Sequence, residues 1–307
     1  MMIKNTLTTS VDVRIEQKDG TVIEDTVVNV PTEIVEMPID GINNIGGTSV
    51  SPIGYCIYCD AVENLTKEHI IPHGLNGTAV LQKASCSRCS KITGDFERKV
   101  LRGPMVEVRK LLCFQSRSNH KKSKSNAELT LVIDGKEIVV QIPMNEYPII
   151  LSFPTFGAPN YLTGVQSLGI NISGVTTINF GPRPEEVLQR FNAQKITIPE
   201  PTSEPIAFAR MLAKIAYCFA IKNNELIKLN GSCLVLPAIL GESDDIGHWV
   251  GTIDGPLRTY NGLLHRLAIH SDTEKGLLIA EVQLFASSPT PTYGVILGRL
   301  QSTINKT

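Results

Sequence analysis

The sequence has no apolar stretch approaching the roughly 18 residues of a membrane-spanning helix, which argues against a membrane partner. Its first residues, MMIKNTLTTSVDVRIEQ, lack the apolar core of a secretory signal, so a cytoplasmic protein is expected. Net charge is nearly absent: 29 Lys and Arg face 30 Asp and Glu. That balance excludes a whole-molecule pull toward nucleic acid and leaves room only for a local one. There is no internal repeat, no Gly-rich phosphate loop, no G-x-S-x-G and no H-E-x-x-H, so the best-known NTPase, hydrolase and metalloprotease signatures are missing. Disorder is excluded as well, because 42% of the residues are hydrophobic and 19% charged. The 307 residues suffice for one large domain or two ordinary ones.

Cysteine is present, and its spacing is informative. Four of the seven cysteines form two Cys-x-x-Cys pairs, Cys56/Cys59 and Cys86/Cys89, separated by 26 residues. A Cys-x-x-Cys turn aims two thiolates at one point, and two such knuckles complete a tetrahedral zinc site. In a cytosolic protein this is a better account than disulfides. Cys113, Cys218 and Cys233 stand alone in apolar surroundings and read as buried small hydrophobes.

The fold class expected is α+β, in three segments. Residues 1–54 read as a β-hairpin turning at Asp19-Gly20, followed by a Gly-, Asn- and Ser-rich linker from residue 37. Residues 55–126 hold the paired cysteines, a basic helix and a charged tract, QSRSNHKKSKSN. Residues 127–307 form a mixed α+β segment that opens with a hairpin around Asp134-Gly135. Short apolar runs broken by Gly and Pro over 146–181 read as strands and loops. Helices are expected at 184–193 and 204–222, and strands at 232–238, 263–270, 277–286 and 293–299. In the 204–222 helix the apolar residues recur at helical spacing, with Arg210, Lys214 and Lys222 between them as its polar positions.

Between the knuckles runs LTKEHIIPHGLNGTAVLQKAS. It reads as a short strand carrying Glu68 and His69, a loop bracketed by Gly74 and Gly77, and a returning strand. The following CSRCSKITGDFERKVLR has helical character, with a stop at Gly103-Pro104 and a second helix beyond. Adjacent strand residues point to opposite faces, so an acid-His pair that shares one site belongs at a strand end.

These residues resemble the HNH endonucleases, the ββα-metal family, in its zinc-stapled four-cysteine branch. The likeness rests on Cys56-x-x-Cys59, Glu68-His69-Ile70-Ile71-Pro72, the Gly74–Gly77 loop, and Cys86-x-x-Cys89 leading into a helix. It covers about 50 of the 307 residues. The resemblance implies DNA phosphodiester hydrolysis, with His69 as general base and Glu68 as ligand of a catalytic Mg²⁺ or Mn²⁺ beside a structural Zn²⁺. Hard oxygen donors suit that catalytic ion, and neutral imidazole suits proton abstraction near pH 7. His73 is close enough in sequence to help bind phosphate. One departure stands out: Ser90 occupies the position where the family carries Asn or His as second ligand, and a hydroxyl is a poor substitute. Ser90 acting through water and a carboxylate further along the helix, Glu97, are the alternatives. Asp95 is nearer but rotated away. The plainer reading of Asp95 and Glu97 is a solvated face paired with Arg98 and Lys99.

Charge is local. From Arg88 to Lys124 there are eleven Lys and Arg against three acidic residues, next to the predicted site. Arg88, Lys91, Arg98, Lys99 and Arg102 are the candidates for phosphate-backbone contacts. The leading expectation is a metal-dependent HNH endonuclease acting on DNA, in a setting such as antiviral defence or a mobile element. The alternatives are a zinc-dependent nucleic-acid-binding protein without catalysis, and a nuclease effector regulated by residues 127–307. A homodimer or a regulatory partner fits either nuclease reading.

Overall fold

The computed structural model describes residues 6–16, 22–36, 52–114, 126–198 and 204–301, the first two stretches as backbone only. The expected linker over 37–51 and the charged tract over 115–125 lie outside the described residues. Strands β1 (Thr6–Glu16) and β2 (Val22–Glu36) pair antiparallel, as the Asp-Gly turn predicts. The cysteine-rich segment follows as β3 (Thr66–His69), β4 (Val80–Ser85), α1 (Ser87–Arg102) and α2 (Val106–Leu111). The helix stop falls at Gly103, whose N–H closes on Lys99.

The remainder comprises β5 (Asn126–Ile133), β6 (Lys136–Pro143), β7 (Ile149–Phe156), the short α3 (Asn160–Thr163) and β8 (Ile172–Phe180). Then come α4 (Pro184–Phe191), β9 (Lys195–Thr197), α5 (Pro205–Lys222), α6 (Leu236–Leu240) and α7 (Ile246–Trp249). Strands β10 (Val250–Thr252), β11 (His265–Asp272), β12 (Leu277–Leu284) and β13 (Tyr293–Arg299) close the described chain. Among the described residues the sheets run β1-β2-β8-β7, β10-β13-β12-β11, β3-β4 and β6-β5-β9. This is a mixed α+β architecture.

Helix α5 sits at the centre. Pro205 opens it, at a position where its missing N–H costs nothing. Its residues are buried almost all round, and a helix of that kind belongs inside a core. Four alanines, Ala209, Ala213, Ala216 and Ala220, are fully enclosed, and their small side chains let α1, α6, β12 and β13 approach. Phe285 ties the sheets to the cysteine-rich segment: it meets Phe153 and Phe180 edge-on at 6.1 and 5.8 Å and stacks on Phe114 at 6.4 Å. One continuous core therefore runs through both parts of the chain.

Three expectations need correction. Residues 232–238 are no strand: a turn leads into α6, where Pro237 suits the first helical turn and Gly241, left-handed at φ +71°, ends it. An apolar run such as Leu234–Leu240 satisfies either period, and the flanking Pro and Gly decide. Cys113 is exposed, because its φ of +52° past the end of α2 turns it out of the apolar run. Lys214 lies on no polar face; it is 0% exposed in the middle of α5.

Overpacking the α5 interface tests its central place. Ala216→Leu is expected to cost about 1–3 kcal/mol, read as a lower midpoint in urea unfolding.

Candidate functional site

The first knuckle is a tight turn. Cys59 N–H and Asp60 N–H both donate to the Cys56 carbonyl, at 3.3 and 2.9 Å, and Asp60 takes the left-handed φ of +60° that closes it. The Cys56 and Ile57 amides bond to Ala61 and Ala84 carbonyls, which seats the turn beside β4. The second knuckle is the start of α1 itself, with Cys86 as N-cap and Cys89 in the first turn. All four sulfurs lie within 4.8 Å of one another, and Cys59 Sγ is 3.6 Å from Cys86 Sγ. Tetrahedral Zn–S bonds of about 2.3 Å place sulfurs about 3.8 Å apart, so the four fit a zinc ion. All are free thiols. The Cys89 backbone N–H lowers the Cys86 thiol to about 7, while burial raises Cys56 and Cys89. A bound cation would favour the thiolate form of all four.

Glu68 and His69 are the last two residues of β3, paired with Leu81 and Val80 on β4. They are 7% and 8% exposed. His69 Nδ1 lies 3.2 Å from the Gly77 carbonyl. A carbonyl only accepts, so Nδ1 carries the hydrogen and Nε2 the lone pair. Burial lowers the His69 pKa to about 4, with the Gly77 carbonyl opposing, so the ring is neutral over the physiological range. His73, half-buried, meets it edge-on at 5.2 Å between ring centroids. Gly77 is required here for space: a Cβ would stand 1.9 Å from the Ile71 carbonyl oxygen. The loop is also held from outside, since Arg109 donates to the Gly74 and Leu101 carbonyls at 2.6 and 2.7 Å.

The remaining contacts come from far along the chain, and sequence reasoning did not anticipate them. Lys214 Nζ lies 2.7 Å from Glu68 Oε1 and 2.9 Å from Glu97 Oε1, and it also donates to the His69 carbonyl. Burial alone drives a lysine toward its neutral form; Glu68 first, then Glu97, outweigh it and hold the ammonium charged. Three and four residues on, Tyr217 donates to the Ile57 carbonyl and Cys218 Sγ lies 3.4 Å from the Tyr58 hydroxyl. One face of α5 thus grips both the acid-His strand and the first knuckle. From β11, the fully buried His265 places Nε2 2.8 Å from the Leu75 carbonyl, while its Nδ1 accepts the Phe285 N–H at 3.2 Å. The only signal in the sequence was Lys214 itself, a cation enclosed by the apolar run of α5.

The other expected residues are dispersed. Ser90 is half-buried on α1, and its described bonds are made by its own backbone: its N–H donates to the Cys86 carbonyl and its carbonyl accepts from the Thr93 hydroxyl. Glu97 joins Glu68 on Lys214, whereas Asp95 pairs with Arg98 at 2.7 Å, as a solvated face requires. Arg88, Lys91, Arg98, Lys99 and Arg102 are all exposed. At about 100° per residue they share a stripe roughly 100° wide, away from the buried Cys89, Thr93, Phe96 and Val100. Lys99 pairs with Glu204 at 3.7 Å and Arg88 reaches Glu242 at 4.0 Å, while Lys91 and Arg102 have no ion pair among the described residues. Such exposed pairs are weak.

The donor sets differ in what they can hold. The four thiolates suit zinc. The Glu68–Glu97 pair offers hard oxygens, but those oxygens already surround an ammonium, so in this conformation they do not fit a catalytic Mg²⁺ or Mn²⁺. Comparison with protein-family models, curated proteins and solved structures returns no match to this chain.

Two outcomes follow from these groups. The purified protein is expected to carry about one zinc per chain by metal analysis, and Cys86→Ser to lose most of it. His265 is pulled down from 6.5 to about 4 by burial, against the Leu75 carbonyl. The unfolded chain therefore takes up the proton first as pH falls. Its contribution is complete above about pH 6.5 and is lost toward pH 4, up to about 3 kcal/mol. His265→Gln, neutral at every pH, flattens that part of the acid slope in urea unfolding; an unchanged slope contradicts the assignment.

Proposed function

We propose that this chain is a zinc-stapled endonuclease of the HNH kind that hydrolyses DNA phosphodiester bonds, with His69 as general base. The observation that carries the reading is the setting of His69. Its ring is neutral, its Nδ1 hydrogen is committed to the Gly77 carbonyl, and its Nε2 lone pair remains for a proton from water. The strand–loop–strand–helix order around it, with the two knuckles at either end, supports the family resemblance. His73 adds a second imidazole beside the first, suited to a phosphate oxygen. The exposed stripe on α1 suits the sugar-phosphate backbone and carries no base-reading chemistry. The resemblance assigns Glu68 to a divalent ion, whereas in the described fold Glu68 is paired with the Lys214 ammonium.

A second reading is a nuclease held in check by residues 127–307. It is favoured by the contacts from that segment: Lys214 on Glu68, Tyr217 and Cys218 on the knuckle, and His265 on the Leu75 carbonyl. His69 at 8% exposure also leaves little room for a phosphodiester.

Supercoiled-plasmid nicking by the zinc-loaded full chain, in Mg²⁺ and in Mn²⁺, tests the first reading. His69→Ala is expected to lower the rate by at least about 100-fold. Equal cutting by the two proteins removes His69 from the chemistry. Salt-sensitive DNA binding with no cleavage in either metal leaves a zinc-dependent binding protein instead.

A further inference from the structure

The groups around Lys214 are unusual for an ordinary buried ion pair. Its ammonium donates to the His69 carbonyl and is ion-paired with two carboxylate oxygens, Glu68 Oε1 at 2.7 Å and Glu97 Oε1 at 2.9 Å. Two carboxylates and one backbone carbonyl, converging on one point from β3 and α1, form the hard-oxygen donor set that Mg²⁺ or Mn²⁺ takes. The set includes the carboxylate that the nuclease reading assigns to a divalent ion. The point is already occupied by a positive charge belonging to the chain, and Lys214 is 0% exposed. Two positive centres in one such space repel strongly, because little water screens them.

We infer that Lys214 is a built-in counter-cation that fills the divalent-ion position, so that the described fold is the metal-excluding form of the site. The inference rests on the nuclease reading for its functional meaning, though not for its test. Loading of the ion is then an exchange, with the Lys214 ammonium leaving Glu68 and Glu97 as the ion arrives. The backbone of α5 is enclosed by α1, α6, β12 and β13, so the helix does not withdraw as a unit. The movable part is the Lys214 side chain, since Arg109 and His265 hold the loop after β3. Whatever loosens the cysteine-rich segment from α5 therefore opens the site to metal, and residues 127–307 regulate it by supplying one ammonium.

The experiment is Mn²⁺ binding, read by electron paramagnetic resonance on the zinc-loaded full chain. Lys214→Met keeps the length and removes the charge. It is expected to bind one Mn²⁺ at least roughly tenfold tighter than the wild type. Adding Glu68→Gln is expected to abolish that gain. A Lys214→Met protein with wild-type zinc content and near-UV circular dichroism that binds Mn²⁺ no tighter overturns the inference. Should that variant not fold, thermal unfolding of the wild type decides. A metal-excluding native state gives no rise in Tm with Mn²⁺, whereas a rise that Glu68→Gln removes means the ion binds with Lys214 in place. Cleavage is a separate readout. A protein that cuts no DNA yet shows the gain keeps this inference and loses the nuclease reading. His69-dependent cutting with no gain does the reverse.

Discussion

One buried ammonium organises the functional end of this molecule. Lys214 lies on the central helix, and its partners come from the strand with the acid-His pair and, as an ion pair, from the helix that follows the second knuckle. Removing a lysine of this kind from water is costly, and here two close carboxylates and a carbonyl acceptor offset the cost. Those partners must therefore stay in place. The consequence is a small two-stranded sheet whose most reactive residues are positioned by a segment almost 150 residues away in the chain. Around the same helix, Tyr217 and Cys218 hold the first knuckle, so the thiol cluster and the acid-His strand share one support.

Burial acts differently on the two groups next to each other on β3. His69 is pushed to its neutral form and keeps one nitrogen free, which suits proton abstraction. Glu68 is satisfied by a cation, which suits a resting state better than an active one. His69 thus keeps a lone pair available while Glu68 is engaged by Lys214. His265 adds a long-range brace on the loop through the Leu75 carbonyl, and Arg109 adds another through Gly74. The loop between the strands is held from two sides, although its own residues supply only short-range bonds.

Much of this was legible in the chain. Matched Cys-x-x-Cys spacing gave the four-sulfur cluster, because knuckle geometry is local. The Gly103-Pro104 stop marked a helix end correctly, because Pro and Gly act on their own backbone. Lys214 was misread because helical periodicity assigns a lysine to the polar side by default, and its partners are distant in sequence. His265 was missed for the same reason. Leu234–Leu240 was misread because a short apolar run carries no period of its own. For the cationic residues of α1, the pairing of Arg98 with Asp95 was legible, but not the share of charge taken up by the distant Glu204 and Glu242.

On the proposed reading the thiol cluster holds zinc, while the carboxylate pair beside His69 holds the Lys214 ammonium in place of a divalent ion. Anomalous diffraction from crystals grown with Zn²⁺ and Mn²⁺ tests it most directly. A zinc peak is expected among Cys56, Cys59, Cys86 and Cys89, with no manganese peak at Glu68 and Glu97 while Lys214 is paired with them. A manganese peak at those carboxylates with the Lys214 contacts intact, or no zinc among the four sulfurs, contradicts it.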